Sequence, residues 1–553
     1  MHALIIISGI GLTTLAFLLP RFRSRLLLSR AKPFSLSGHT RIAKKIAKLV
    51  PNYEFTESRF YSSDDAPEYI AQKRRVGFEH LASLFRASNP ASIQIGEHLA
   101  SGISDLQFTN RYRVPFQYSR YVREHLKLGS FVTESFGVML KDLDGNESYD
   151  LTGSYGVNVL GNDFYKECID AGIEKVRKLG PVLGPYHPVI EENVRKLRAL
   201  SGLDEVSFHM SGTEAVMQAV RLALYHTGRS RVVRFCGAYH GWWDGVQPGI
   251  GNPRKVSDVY TLRDMDKNTL RVLKTRHDIA CVLVNPLQAL HPNANAPGDS
   301  TLVNSGRSTS LNRKAYTEWL QALRQVCTDR NIVLILDEIF VGFRIAYRGA
   351  QEYFNVQADL VTYGKTLGGG LPIGVVCGKS HLMKRFREDH PTDICFARGT
   401  FNSHPYVMGA MNEFLRRIEQ PEIQALYHNL DATWNSRAQL MNERLAKAGL
   451  PVRVANFSSI FTVLYTRPSR YNWMLQFYLR AEGLTLGWIG TGRLIFSLNY
   501  SQETFAAVTE RFVRAAQKMM EDGWWWHHPE TTDRSIKRQI LGEMLRSRFS
   551  RQN

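Results

Sequence analysis

Residues 332–339, IVLILDEI, and residues 359–370, DLVTYGKTLGGG, decide the architecture. Each carries a short, largely apolar β-branched run that then meets a charged side chain. A continuous apolar strand must be buried on both faces, as in a parallel sheet covered by helices. Three further runs have the same texture: RVVRF (231–235), IACVLVNP (279–286) and PIGVVCGK (372–379). Between them lie helical patterns such as RKAYTEWLQALRQVCTDR at 313–330, which supply the covering layer. The spacing predicts an α/β fold built on a mostly parallel sheet. In such sheets ligands gather outside the carboxyl ends of the strands.

Several chemically active side chains fall there. Asp337 and Glu338 end one strand, where a carboxylate is costly unless it meets a positive partner. Lys365 stands between an apolar strand and a glycine-rich turn, where partial desolvation lowers the amine pKa and makes it nucleophilic. Ser211, Gly212 and Thr213 open an apolar helix, and free N–H groups with hydroxyls at a helix start suit a phosphate. Tyr239 and His240 follow strand RVVRF between glycines, with the aromatic ring free to stack on a flat ligand. Thr400 lies in a glycine-containing loop, RGTFN. Each feature has an ordinary explanation: an ion pair, a surface lysine, a helix cap, core packing, a turn. Together they ask for one ligand with a flat heteroaromatic ring, a phosphate and a carbonyl that condenses with lysine.

The ordered set MSGTEAVMQAVRLA, YHGWWDG, LILDEIFVGFR, YGKTLGGGLPIG and GTFNSHP resembles class-III aminotransferases. The resemblance is closest to the glutamate-1-semialdehyde 2,1-aminomutase branch and to aminotransferases attached to polyketide or peptide assembly lines. It covers about residues 130–525 and includes the turn Lys141-Asp142-Leu143-Asp144-Gly145. It implies a fold-type-I transferase with a large domain and a smaller α+β C-terminal domain, using pyridoxal 5′-phosphate. By that resemblance Lys365 bonds the cofactor and shuttles a proton, and Asp337 pairs with the pyridine nitrogen. Ser211, Gly212 and Thr213 hold the phosphate, while Tyr239 stacks on the ring with His240 beside it. Thr400 reaches the phosphate from the other subunit of a homodimer. Glu338 and Gly342 complete a motif in structural roles. The reaction implied moves an amino group from a donor to a ketone or aldehyde, free or carrier-bound, in a biosynthetic pathway. An aminomutase and a non-catalytic membrane-tethered scaffold are the alternatives.

Two departures bear on the reaction. Where most family members have Glu-Pro, this chain has Asn285-Pro286, and a long polar insertion follows at 291–310. Residues 101–126 resemble the segment preceding assembly-line aminotransferase domains. Arg493, in TGRLIFSLNYS, is a candidate carboxylate clamp, with a surface ion pair as the alternative.

The ends of the 553-residue chain are basic. Residues 1–50 carry nine basic side chains and no acidic one, and residues 530–553 carry six against three, together +12 of the net +19. A nucleic-acid enzyme would carry its basic stripe on the folded domain, so membrane or partner contacts are expected instead. Residues 3–19 are uncharged and apolar, with Arg21, Arg23, Arg25, Arg30 and Lys32 behind them. That order predicts a membrane anchor with the enzyme held at the cytoplasmic face, an interfacial segment or a docked core helix being the alternatives. RIAKKIAKLV (41–50) reads as a basic amphipathic helix, suited to an anionic lipid surface or to packing on its own protein. Trp524, Trp525 and Trp526 read as a second interfacial contact or as aromatic packing. Six scattered cysteines, without a CxxC pair, indicate reduced buried thiols rather than disulfides or a metal site. The expected units are an anchor (1–20), a basic helical extension (21–130), a large cofactor domain (131–400), a small domain (401–525) and a basic tail (526–553).

Overall fold

The computed structural model describes residues 19–34, 38–107, 114–128, 131–247, 249–254, 257–291 and 309–550. Strands β1 (Val132–Phe136), β2 (Met139–Asp142) and β3 (Glu147–Asp150) form an antiparallel meander. The large sheet contains β4 (Glu205–His209), β5 (Arg231–Phe235), β6 (Val259–Leu262), β7 (Ile279–Val284), β8 (Val333–Asp337), β9 (Leu360–Gly364) and β10 (Gly374–Gly378). Their order is β4-β10-β9-β8-β7-β5-β6. Strands β5 to β9 pair in parallel, and β10 runs antiparallel to both β9 and β4.

The period-two rule explains the layers. Leu334 and Leu336 of β8, with Val282 and Val284 of β7, enter the core shared with Tyr316, Leu320 and Leu323 of the helix Arg313–Asp329. Val333 and Ile335, with Cys281 and Leu283, face the opposite way, onto Ala215, Ala219 and Leu222 of the helix Gly212–Thr227. Both faces are apolar, and every residue of β7 to β10 is buried. All six cysteines are buried and free.

Residues 131–150, read as the start of the large domain, join the C-terminal part through parallel pairing of β3 with Leu484–Thr485. That pairing spans over 300 residues and has no local signature. The small domain completes itself with Val452–Phe457, Ile460–Tyr465 and Leu494–Ile495 in an antiparallel sheet.

The helices Glu57–Tyr61, Glu68–Ser88, Pro90–Leu99 and Phe116–His125 do not form a separate appendage. Phe60 packs edge-on against Phe78, Tyr118, Trp473 and Trp524. Buried Arg74 pairs with Asp64 at 2.7 Å and donates to the Gly523 carbonyl at 2.9 Å. Trp524 and Trp525 are therefore core residues, donating to Tyr478 Oη and Asn472 Oδ1. The basic tail likewise folds back as the helix Asp533–Ser550. Its Glu543 accepts two bonds from buried Arg470, at 2.7 and 2.8 Å, and a third from Tyr53 Oη at 3.0 Å.

The anchor expected at residues 1–20 and the insertion at 291–310 fall almost wholly outside the described residues. Among the described residues no helix is long and apolar enough to cross a membrane.

Burial raises the Glu543 carboxyl pKa, but the bonds from Arg470 outweigh it and hold the group below the ordinary carboxylate range. A depressed native value stabilises the fold above the unfolded-state pKa, and that contribution is lost as pH falls through the native one. Glu543→Gln is expected to cost about 3 kcal/mol at neutral pH, because it strands a buried guanidinium. The gap to the parent in urea denaturation should narrow below about pH 4.5; an equal gap at pH 7 and in acid would contradict this.

Candidate active site

The last residue of β8 organises the site. Asp337 is buried and accepts from His240 Nδ1 at 2.8 Å on Oδ2. Its Oδ1 accepts from the Ile339 N–H at 3.2 Å and faces Thr362 Oγ1 on β9. A buried carboxylate with an imidazole behind it stays available to a cationic partner in front. His240 Nε2 is buried without a protein partner among the described residues. Sequence reasoning set His240 beside the ring; the structure joins it to Asp337.

Lys365 follows β9 in a left-handed conformation, φ +48°, which a non-glycine residue adopts only when its surroundings impose it. Its amine lies over the Phe340 ring, 5.6 Å from the centroid. Burial lowers the pKa of the amine; Asp337 opposes that shift, while Arg493 and Arg344 add to it. A neutral, nucleophilic amine is thus more accessible than for a free lysine. A Cβ on Gly156 would lie 3.1 Å from Lys365 Cδ and 2.7 Å from Phe340, so a bare backbone walls the amine here. Its neighbours Ser154 and Tyr155 also have positive φ, a local strain that the sequence did not signal.

At the start of the helix Gly212–Thr227, Ser211 Oγ accepts the Glu214 N–H, and Glu214 Oε2 accepts the Met210 N–H at 2.8 Å. This reciprocal cap uses the Ser211 hydroxyl as an acceptor and leaves its O–H, with the unpaired first-turn N–H groups of Gly212 and Thr213, to donate to an anion. Gly241, at φ +87°, brings the next loop so close that a Cβ would sit 2.5 Å from Thr213 Oγ1. Tyr239 on that loop is half exposed, with its face free. Asn285, in place of the usual glutamate, donates from Nδ2 to the Tyr239 carbonyl at 2.9 Å, and Gln288 Nε2 donates to the Cys236 carbonyl. The departure therefore preserves the loop instead of releasing it.

Glu338 is turned away from the site. It accepts the N–H groups of Ala350 and Gln351, at 2.6 and 3.2 Å, and burial pushes its pKa up to about 8. Arg344 is fully buried and bridges three segments, donating to Ser459 Oγ, the Phe496 carbonyl and the Asn158 carbonyl at 2.6–2.8 Å. Arg493 lies 5.7 Å from the Phe340 centroid, on the same ring as Lys365. Burial holds its pKa down at about 10, and among the described residues no carboxylate pairs with it. Thr400 is not brought to this group: it sits exposed in a loop, with no described contact to Ser211, Gly212 or Thr213 of its own chain.

The donors fit pyridoxal phosphate. The cradle that a Cβ at Gly241 would fill, the outward N–H pair, the exposed face of Tyr239 and the buried Asp337 match phosphate, ring and pyridine nitrogen in turn.

The family described as aminotransferase class-III matches residues 120–249 and 312–516, more than half of the chain. The glutamate-1-semialdehyde 2,1-aminomutase of Geotalea daltonii is 30% identical over 363 residues, 62% of this chain and 78% of that protein. Its counterpart in Nitratidesulfovibrio vulgaris is 32% identical over 354 residues, 61% and 76% of the two chains. A transaminase solved with pyridoxal phosphate bound superposes with TM-score 0.60 at 26% identity, over 72% of this chain and 92% of its own. A glutamate-1-semialdehyde aminomutase from Pseudomonas aeruginosa shares the fold, with TM-score 0.64 at 16% identity over 81% and 99%. With five ordered motifs and this geometry in agreement, the chain belongs to the class-III aminotransferases, fold-type-I enzymes that use pyridoxal 5′-phosphate.

Proposed function

We propose that the protein is a transaminase that takes an amino group from a donor and delivers it to a separate ketone or aldehyde. The juxtaposition of Lys365, Asp337 and Arg493, with both cations over the Phe340 ring, carries this reading. Pyridoxal phosphate supplies an aldehyde that condenses with amines and a ring that accepts the electron pair of a breaking Cα–H bond.

The protein's own groups do the rest. The N–H groups of Gly212 and Thr213 bind the phosphate at a helix start, where the helix dipole favours negative charge. Asp337 holds a proton on the ring nitrogen, and the Nδ1–H of His240 keeps the carboxylate aimed. Tyr239 covers one face of the ring. Lys365 Nζ would hold the cofactor through its aldehyde and, as the base nearest the site, would take the proton from the substrate carbon. Arg493 binds the substrate carboxylate by charge-assisted hydrogen bonds. Thr400 is supplied across a homodimer interface. Its exposed loop, with Phe396 and Phe401 also bare, supports that role. The uncharged run before Arg21 supports attachment at the cytoplasmic face of a membrane.

The 30% identity to aminomutases favours a second reading, in which the amine returns to the same carbon skeleton. Omitting the amino donor from an assay on glutamate semialdehyde separates the two. A transaminase stops after one turnover per site, whereas a mutase continues. Offering one acceptor free and as a carrier-protein thioester tests the carrier-bound form.

Three outcomes are expected of variants. Lys365→Ala should lose both the visible absorbance and the borohydride-reducible adduct; an adduct on another lysine would overturn the assignment. Asp337→Asn should lower kcat by about a thousandfold with a smaller change in cofactor affinity, because the ring charge is needed most as the carbanion forms. Arg493→Gln should raise KM for carboxylate-bearing substrates about 10- to 100-fold, the size of a lost charge-assisted bond. It should leave uncharged amines unaffected, and an equal loss for both would show that Arg493 only packs.

A further inference from the structure

The edge strand of the large sheet, β6, is flanked by two short helices whose apolar ridges point away from the protein. The first covers residues 19–31. It lays Ser24, Leu27, Leu28 and Ala31 on the body. Arg276 Nη1 donates to Ser24 Oγ at 3.3 Å, and Arg263, just after β6, donates to the Ala31 and Arg30 carbonyls at 2.9 and 2.6 Å. Leu19, Phe22 and Leu26, at positions i, i+3 and i+7, are left outside, with Phe22 65% exposed. Phe34 is 95% exposed, with the Arg263 guanidinium 5.1 Å from its centroid.

The second helix, Thr40–Ala47, is reversed in the same way. It turns inward buried Ala43 and Lys44, whose amine donates to the Asn252 and Arg254 carbonyls in the loop before β6. Outside lie Ile42, Ile46 and Leu49, spaced i, i+4 and i+7, with Arg41, Lys45 and Lys48 beside them. A surface helix ordinarily packs its apolar stripe on its own core. Here the small and polar face is docked and the apolar one is open.

The charge is as one-sided as the exposure. Residues 19–50 hold nine lysines and arginines and no carboxylate. A second copy of this chain is a poor occupant, because a two-fold contact would set these cations against themselves. Apolar side chains interleaved with long cationic ones match a bilayer surface: the former enter the headgroup–acyl boundary and the latter reach up to phosphates. Both helices present this mixed face along their length, as an amphipathic helix lying in the headgroup layer does. We propose that the helices at 19–31 and Thr40–Ala47 form a docking surface for an anionic lipid bilayer, on the β6 edge of the enzyme. This is independent of the reaction assigned above.

The test is co-flotation of the full chain with vesicles of phosphatidylcholine alone and with about one third phosphatidylserine, the fraction that gives a strongly negative surface. Two sets of substitutions are compared with the parent, each confined to exposed positions and leaving residues 1–18 unchanged. One is Phe22→Ser, Leu26→Ser, Ile42→Ser and Ile46→Ser; the other is Arg23→Gln, Arg25→Gln, Lys45→Gln and Lys48→Gln. The parent should bind anionic vesicles at least about tenfold more tightly than neutral ones, and each set should lose at least about tenfold, since about 1 kcal/mol attaches to each cation near such a surface. Thermal midpoints should not change. Equal binding to both vesicles, or variants that float like the parent, would overturn the proposal and leave any attachment to residues 1–18. Binding to neither vesicle would also overturn it, with an acidic protein partner then favoured.

Discussion

The structure turns on a carboxylate at the end of a buried strand. Asp337 is nearly inaccessible to water and has one imidazole behind it. A buried anion is tolerated only where the surrounding chain supplies charge or hydrogen bonds. Its supports come from three segments: the Ile339 N–H, Thr362 of β9, and His240 of the loop after β5. Strand order, the tight loop at Gly241 and the left-handed Lys365 can all be understood as consequences of building a place for that one charge.

Much of this was legible in the sequence because it is local. The strands β5 and β7 to β10 are apolar runs whose periodicity needs no partner to be recognised, and the active groups stand at their ends or within five residues beyond them. Contacts across long separations were not legible. The pairing of β3 with residues 484–485, the union of Arg470 with Glu543, and the docking of Phe60 among Trp473 and Trp524 join segments tens to hundreds of residues apart. The three tryptophans left open whether they met lipid or core, and only the location of Asn472 and Tyr478 decides it.

The residues read as functional also divide by task. Ser211 accepts a bond from the helix that offers its neighbours' N–H groups, His240 bonds Asp337, and Glu338 secures the start of the helix Gly349–Phe354. Motif residues next to one another thus act at different distances from the chemistry. The substitution of Asn285 for glutamate illustrates the same economy, since its amide ties the Tyr239 loop in place.

The late arrival of Glu543 has a consequence for biosynthesis. Arg470 is enclosed by the small domain and the N-terminal helices, yet its counter-charge lies 73 residues further on, in the last helix. While the ribosome still holds that stretch, the nascent domain contains an uncompensated cation at its centre. The early helices must then wait until Glu543 has emerged before their packing becomes favourable, so a chain cut short of that residue should be unable to mature.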